Sequence, residues 1–473
     1  MLQAEIGLIG LGVMGSNLAL NIAEKGFPIA VYNRTAERTL IFKENAGTLS
    51  SQIIPCLTLE ELVAAIRPPR PIIIMVKAGE AVDEQIEILR KLLAQNDIII
   101  DAGNANFRDT MRRFASLDGS GLTFIGMGVS GGEEGARHGP SIMVGGKEAS
   151  YRRVENVLTA IAARYKNEPC CAWLGENGAG HFVKTIHNGI EYADMQMISE
   201  TYGIMRDGLG MKAKDIGKVF EKWNKGRLNS YLIEITAKVL AVTDAKTKKP
   251  IVDIILDRAG QKGTGKWSVI EAQNLGIPAT TIEAAVAARV LSSMKSEREK
   301  AEKAYKLPRK KIPSKARAAL LRQLESALYS GKIAAYAQGF AVMEQASKEY
   351  EWDLPLGTIA KIWREGCIIR SQFLGLITQA FIKNGGKGNL LLAPAFMKMM
   401  KESHGALRTV IAHAAPIGAP IPALSSALSY FDCYRQARGT ANLIQAQRDF
   451  FGAHGFERIG EEGAFHGPWG GGH

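Results

Sequence analysis

Short unbroken apolar runs alternate with amphipathic stretches through the first third of the chain. Glu5–Ile9, Pro28–Tyr32, Pro71–Met75, Asp97–Ile100 and Leu122–Ile125 have the length and composition of buried strands. Between them the run to about Lys25, Leu59–Ile66 and Ala81–Leu93 carry apolar residues at helical spacing. Strands alternating with helices predict a mainly parallel, doubly wound sheet over residues 1–177. After Gly175-Glu176-Asn177-Gly178 the strand pattern nearly vanishes, and helical periodicity to about residue 435 predicts a large all-α domain over 178–435. Residues 436–473 form a glycine-rich C-terminal tail, whose Phe456, Phe465 and Trp469 suggest docking against another surface, such as a second subunit.

The helical region opens on residues 181–194, HFVKTIHNGIEYAD. At about 100° per residue, Lys184, His187, Asn188 and Glu191 share a strip roughly 100° wide, opposite Phe182, Ile186, Ile190 and Ala193. Such a strip is ordinarily a solvated face. A weak internal duplication argues otherwise. Ile216–Gly226 resembles Ile359–Gly366, Ser230 answers Ser371, and Asn188-Gly189-Ile190 lines up with Gln338-Gly339-Phe340, at an offset of about 140–150 residues. In the second copy Lys184, His187 and Glu191 become Ala334, Ala337 and Ala341, so the helix is built without those charges. Gly189 adds to the case, because an interior helical glycine costs about 1 kcal/mol relative to alanine and marks a close approach.

Composition changes this picture little. The chain has 473 residues, 46% hydrophobic and 22% charged, enough for about three domain-sized units. Lys295–Arg317 carries ten Lys/Arg against three Glu, or +7 of the net +12, which reads as a solvated basic run and argues against nucleic acid as a partner. Cys56, Cys170, Cys171, Cys367 and Cys433 are scattered, odd in number and without C-x-x-C spacing, which suits a reducing, cytoplasmic compartment and no metal site. No apolar run reaches about 18 residues, so neither a signal peptide nor a membrane span is expected.

Candidate chemistry begins with Gly10-Leu11-Gly12-Val13-Met14-Gly15, a G-x-G-x-x-G between a predicted strand and a predicted helix. That context fits a dinucleotide pyrophosphate, with Gly10 for the turn, Gly12 for close approach and Gly15 for strand–helix packing, and makes the first domain Rossmann-type. The second strand ends in Asn33-Arg34-Thr35 where an NAD-selective fold places an acid, so Arg34 points to the 2′-phosphate of NADP. Val76-Lys77-Ala78, Asn104 and Gly128-Val129-Ser130-Gly131-Gly132 fall at carboxyl ends of strands, where such sheets bind ligands, and the last can form an anion-binding nest. In Gly260–Trp267, GQKGTGKW, alternate glycines with two lysines and a threonine can wrap a phosphate, though not as a Walker loop. Arg289 is a lone cation in an apolar helical run.

Taken together, GLIGLGVMG, NRT, VKAG, DAGN, GVSGGEEGARHGPSIMVGG, KTIHNGIEY, GQKGTGKW and QAQRDFFGAHGFERI make the chain resemble the decarboxylating 6-phosphogluconate dehydrogenases over essentially its whole length. The resemblance implies Lys184 as general base and Glu191 as general acid. It implies that Asn104, Ser130, Gly131, Gly132, His187 and Asn188 bind the sugar acid's carboxylate and hydroxyls. Tyr192, Lys262, Thr264, Arg289, Arg448 and His454 would hold its phosphate, the last two reaching in from the partner of a homodimer. Gly10 to Gly15, Asn33 to Thr35, Val76 to Ala78 and Asn104 would hold NADP, with no metal. A non-decarboxylating β-hydroxyacid dehydrogenase shares the glycine turn and a lysine on a similar helix, but the duplicated helices, the GQKGTGKW loop and the Arg448/His454 tail count against it. An inactive cofactor sensor is disfavoured by the intact Lys184/Glu191 pair.

Overall fold

A computed structural model describes residues 3–308 and 310–469. Gly470–His473, the end of the expected tail, lie outside the described residues. Residues up to Ala427 form one compact unit and those from Leu428 a second.

In the first unit β1 (Ile6–Ile9), β2 (Ile29–Tyr32), β3 (Ile53–Cys56), β4 (Pro71–Ile74), β5 (Ile98–Asp101), β6 (Thr123–Val129), β7 (Ile142–Gly146) and β8 (Cys171–Gly175) form one sheet, ordered β8-β7-β6-β5-β4-β1-β2-β3. The six strands from β3 to β6 are parallel; β7 runs antiparallel to β6, and β8 parallel to β7. Alternate residues feed two core layers, Ile73, Ile98, Ile100 and Ile125 on one face and Ile72, Ile74, Ile99 and Phe124 on the other. Each face is covered, which is why these strands read as continuous apolar runs. Three strands escape that pattern. β3 lies at the sheet edge and contains Pro55, β7 ends in two glycines, and β8 mixes Cys, Ala and Gly.

Eleven helices of this unit frame the site: α1 (Val13–Glu24), α2 (Phe107–Ser116), α3 (Gly132–His138), α4 (Ala179–Gly203), α5 (Ala213–Trp223), α6 (Tyr231–Ala241), α7 (Thr264–Asn274), α8 (Thr280–Ser293), α9 (Arg317–Glu349), α10 (Leu356–Ile362) and α11 (Phe373–Lys383). α4 leaves the sheet four residues after β8 and lies back across β6 and β7. A Cβ on Gly180 would come within 2.5 Å of the Gly126 carbonyl oxygen, and one on Gly145 within 2.4 Å of the Gly180 nitrogen, so backbone touches backbone.

The duplication is visible in space. α4, α5 and α6 answer α9, α10 and α11, and the matched Ser230 and Ser371 meet in an antiparallel bridge, flanked by Tyr231 N–H donating to the Arg370 carbonyl at 3.1 Å. α4 packs against α9 where Gly339 gives way to Ile190, whose Cδ1 would lie 2.6 Å from an added Cβ. Lys332 of α9 makes a buried ion pair with both oxygens of Asp194 at 2.7 and 2.5 Å. The basic helix Lys295–Tyr305 is exposed. Among the described residues no helix is long and apolar enough to cross a membrane.

In the second unit α12 (Ala441–Gly452) is followed by a hairpin, β9 (Phe456–Arg458) and β10 (Glu461–Phe465). Buried Asp449 organises it, accepting hydrogen bonds from the Gly455 and Gly467 amides and the Trp469 indole and pairing with His466. The glycine-rich tail is thus tied through one carboxylate, with Phe456 and Trp469 packed edge to face.

Candidate active site

Because the strand order reverses direction between β1 and β4, the loops after β2, β1, β4, β5 and β6 emerge side by side along one edge of the sheet. These carry Asn33–Thr35, Gly10–Gly15, Val76–Ala78, Asn104 and Ser130–Gly132. Gly10 has φ +102°, and a Cβ there would strike the Met75 carbonyl oxygen at 2.4 Å; one on Gly15 would strike the Gly10 oxygen at 1.9 Å. Nothing lies within 4 Å of a Cβ built on Gly12, so the start of α1 is open to an approaching pyrophosphate. Asn33 Oδ1 accepts the Leu11 N–H at 3.1 Å and so braces the turn, while Arg34 and Thr35 are exposed. The turn, the open helix start and an exposed guanidinium are what a dinucleotide carrying an extra phosphate requires.

On α4 three of the four residues of the predicted polar strip are buried, Lys184 at 6% exposed, His187 at 0% and Asn188 at 9%, while the Glu191 side chain is 20% exposed. The three buried ones face other protein groups instead of solvent. Lys184 Nζ donates to Asn188 Oδ1 at 2.8 Å and to Ser130 Oγ at 3.1 Å. Ser130 Oγ lies 3.3 Å from His187 Nε2, and His187 Nδ1 lies 3.0 Å from Asn188 Oδ1. With the imidazole proton on Nδ1, these four side chains close a ring in which every donor has an acceptor. Asn188 Nδ2 then donates to Thr264 Oγ1 at 3.0 Å, fixing the first residue of α7 and with it the GQKGTGKW loop. Gly128 is required beneath this ring, because a Cβ there would lie 2.5 Å from Lys184 Cβ.

Burial sets the proton affinities. It pushes Lys184 below the ordinary lysine range, against the pull of nearby Glu191. His187 falls well below the usual histidine value, first from burial and then from Lys184, so its imidazole is neutral. Glu191 is raised above the ordinary carboxyl range by burial and by Asp194, against Lys184 and Arg289. The Arg289 guanidinium stacks on the Tyr192 ring at 3.7 Å, and that ring packs on Gly265, whose added Cβ would lie 2.4 Å from it. Tyr192, Thr264 and Arg289 therefore gather beyond Glu191, with Lys262 exposed two residues before Thr264. Arg448 and His454 belong to the second unit, where Arg448 Nη1 donates to Gln445 Oε1 at 3.1 Å and His454 meets the Phe451 ring.

The wall behind the ring comes from the second helical copy and had no site role in the sequence reading. Trp363 meets His187 edge to face at 5.3 Å, Ser141 Oγ donates to the Ile362 carbonyl at 2.8 Å, and a Cβ on Gly131 would strike the Gly366 oxygen at 2.6 Å. The repeat singled out residues 359–366 only as a copy of 216–226; their meeting with Ser130–Gly132 depends on how the copies fold together.

Comparison with known proteins agrees with this arrangement. The family profile described as the NAD binding domain of 6-phosphogluconate dehydrogenase matches residues 5–175, and that of the 6-phosphogluconate dehydrogenase C-terminal domain matches residues 180–469. The chain is 49% identical over 469 residues to a Bacillus subtilis protein named 6-phosphogluconate dehydrogenase, NADP(+)-dependent, decarboxylating, covering 99% of this chain and 100% of the relative. It is 50% identical over 467 residues to the decarboxylating enzyme of Staphylococcus aureus, covering 98% and 99%. Among solved structures, Plasmodium falciparum 6-phosphogluconate dehydrogenase, described apo, with its cofactor NADP+ and with its substrate 6-phosphogluconate, superposes with a TM-score of 0.95 at 44% identity, covering 98% of this chain and 100% of that one. With the two profiles spanning residues 5–175 and 180–469 and relatives about half identical to it covering 98–99% of it, this chain belongs to the 6-phosphogluconate dehydrogenase family.

Proposed function

We propose that this protein catalyses the oxidative decarboxylation of 6-phospho-D-gluconate to D-ribulose 5-phosphate and CO2, reducing NADP in the pentose phosphate pathway. The observation that carries the reading is a pair of opposed shifts two turns apart on α4: a buried lysine pushed toward neutrality and a carboxyl pushed toward protonation. Full-length similarity to the decarboxylating relatives supports the choice of reaction.

Oxidation of the C3 alcohol needs a base that is neutral when it takes the hydroxyl proton. An unperturbed lysine, with pKa near 10.4, is almost wholly protonated at neutral pH, and burial moves Lys184 in the direction the reaction needs, downward. Bound NADP supplies the hydride acceptor. The resulting β-keto acid loses CO2 once its ketone oxygen is polarised, and Lys184, now an ammonium, is the donor for that oxygen. Protonated Glu191 then delivers a proton to C1 of the enediol. Ser130, His187 and Asn188 hold Lys184 in place and, with Asn104, Gly131 and Gly132, bind the carboxylate and hydroxyls. Tyr192, Lys262, Thr264 and Arg289 bind the phosphate.

The same reading makes the protein a homodimer whose tails reach the partner's site, bringing Arg448 and His454 to the phosphate. Support comes from the apolar side chains left exposed on α12, with Leu443 at 62% and Phe451 at 67%. Four buried unpaired thiols support a cytoplasmic location.

The test is to follow NADPH formation from 6-phosphogluconate with EDTA present while measuring CO2. Equal yields of the two are expected; NADPH without CO2 would assign a simple dehydrogenase instead, and no NADPH would remove the reading. Arg34→Asp is expected to shift preference from NADP toward NAD by about ten-fold or more, and an unchanged cofactor ratio would place the 2′-phosphate elsewhere.

A further inference from the structure

α2 starts three residues after Asn104, capped by Asn106, whose Oδ1 accepts the Arg108 N–H at 3.0 Å. From this first turn the Arg108 guanidinium reaches α7 and grips Glu271 with two prongs, Nε to Oε1 at 2.9 Å and Nη2 to Oε2 at 2.7 Å. The Tyr350 hydroxyl accepts a further bond from Nη2 at 3.3 Å. The Glu271 side chain is 4% exposed and that of Arg108 51%. Neither group has a part in the reaction derived above. A buried carboxylate held by one bidentate arginine is demanding in geometry and sensitive to the loss of either partner.

What each helix carries gives the pair its meaning. Arg113, also on α2 and 1% exposed, donates to the Gly79 carbonyl at 2.9 Å and to Asp101 Oδ2 at 3.1 Å, and Asp101 Oδ1 accepts the Gly103 N–H at 3.0 Å. α2 therefore fixes the end of the Val76–Ala78 loop and the turn that holds Asn104. Across the pair, α7 begins at Thr264, tied to Asn188, and its Ser268 lies against Gly189. One ion pair thus joins the helix that braces the cofactor-side loops to the helix that opens the phosphate loop.

We infer that Arg108 and Glu271 are positioning residues that couple the two ligands, so that filling one side of the cleft orders the other through their contact. This rests on the site reading given above, with Arg34 and the Val76–Ala78 loop on the cofactor side and Lys262 at the phosphate. The ligands tighten each other reciprocally, and the pair takes no part in proton transfer.

The experiment is calorimetric titration of the full-length protein with 6-phosphogluconate and NADPH, a pair that cannot react, each alone and in the presence of the other. In the unmodified protein each ligand is expected to lower the Kd of the other by the same factor, about five-fold or more. In Arg108→Met that factor falls to about one while the two separate Kd values stay within about three-fold; a role in stability alone would leave the factor untouched. Arg108→Met/Glu271→Gln, which removes the stranded carboxylate charge, gives the same result. A factor of one in the unmodified protein, or a factor retained in both variants, overturns the inference. Arg34→Ala and Lys262→Ala separate the two readings. Should they weaken their ligands while Arg108→Met keeps the factor, the site stands and the coupling fails; should they weaken neither, the site reading falls and the coupling with it.

Discussion

α4 and α9 are two versions of one helix, each buried without a break around its amide–glycine pair and used for nearly the same structural task. Asn188 holds Thr264 at the start of α7, and Gln338 holds Thr281 in the first turn of α8, donating to its hydroxyl and accepting its N–H, both at 3.0 Å. Each amide is followed by a glycine that lets a neighbour in, Ser268 at Gly189 and Ile190 at Gly339. They part at the strip: Lys184 and His187 in one, Ala334 and Ala337 in the other, all buried. The fold is satisfied by alanine at these places. Desolvating an amine on α4 is therefore a cost the fold itself does not demand, in keeping with the proposed base, and the second copy shows the helix without it.

The sharpest way to break the comparison is to give the first copy the second copy's residue. Lys184→Ala is expected to lower kcat by roughly a thousand-fold or more with NADP binding intact, measured by steady-state rates and cofactor titration. Retained turnover would remove Lys184 as the base. Glu191→Gln is expected to cost about a hundred-fold and to change the pH profile of kcat/KM. Burial moves the two groups toward each other, Lys184 down and Glu191 up, so the unmodified protein is expected to show a bell-shaped profile narrower than an ordinary lysine and carboxyl would give. Glu191→Gln should erase one limb and keep the other; a profile that keeps both would assign the second limb to another group.

The glycines sharpen the comparison further. Gly189→Ala places a Cβ 2.5 Å from Ser268 Oγ and pushes on α7, so KM for 6-phosphogluconate should rise by about ten-fold. Gly339→Ala presses on the flexible tip of Ile190 and should cost about 1–3 kcal/mol in urea unfolding with KM unchanged. Equal effects of the two on KM would mean that both copies shape the cleft alike.

Much of this was legible in the residues. The isoleucine-rich parallel strands declare themselves because both faces are covered, and the spacing of Lys184, His187, Asn188 and Glu191 places them on one side of α4 before any coordinates. β3, β7 and β8 stay hidden because Pro55, the Gly145-Gly146 pair and the mixed Cys-Ala-Trp-Leu-Gly of β8 dilute their apolar signal, and Gly145 answers a long-range requirement, the approach of α4. Whether the polar strip met solvent or protein could not be read from periodicity; the blank second copy was the local clue. Trp363, Gly366 and the Arg108–Glu271 pair had no such clue, since each gains its meaning from a partner more than a hundred residues away.

The backbone contact between Gly180 and the strands beneath it restricts how this enzyme can change over evolutionary time. With no side chain between Gly180 and the strands, no substitution at that point can shim Lys184 nearer to or farther from the neighbouring loops; any larger residue there dislodges the helix outright. A descendant accommodating a longer or shorter acid would have to carve the room from the opposite wall, where Trp363 and the start of α7 meet the cleft through replaceable side chains.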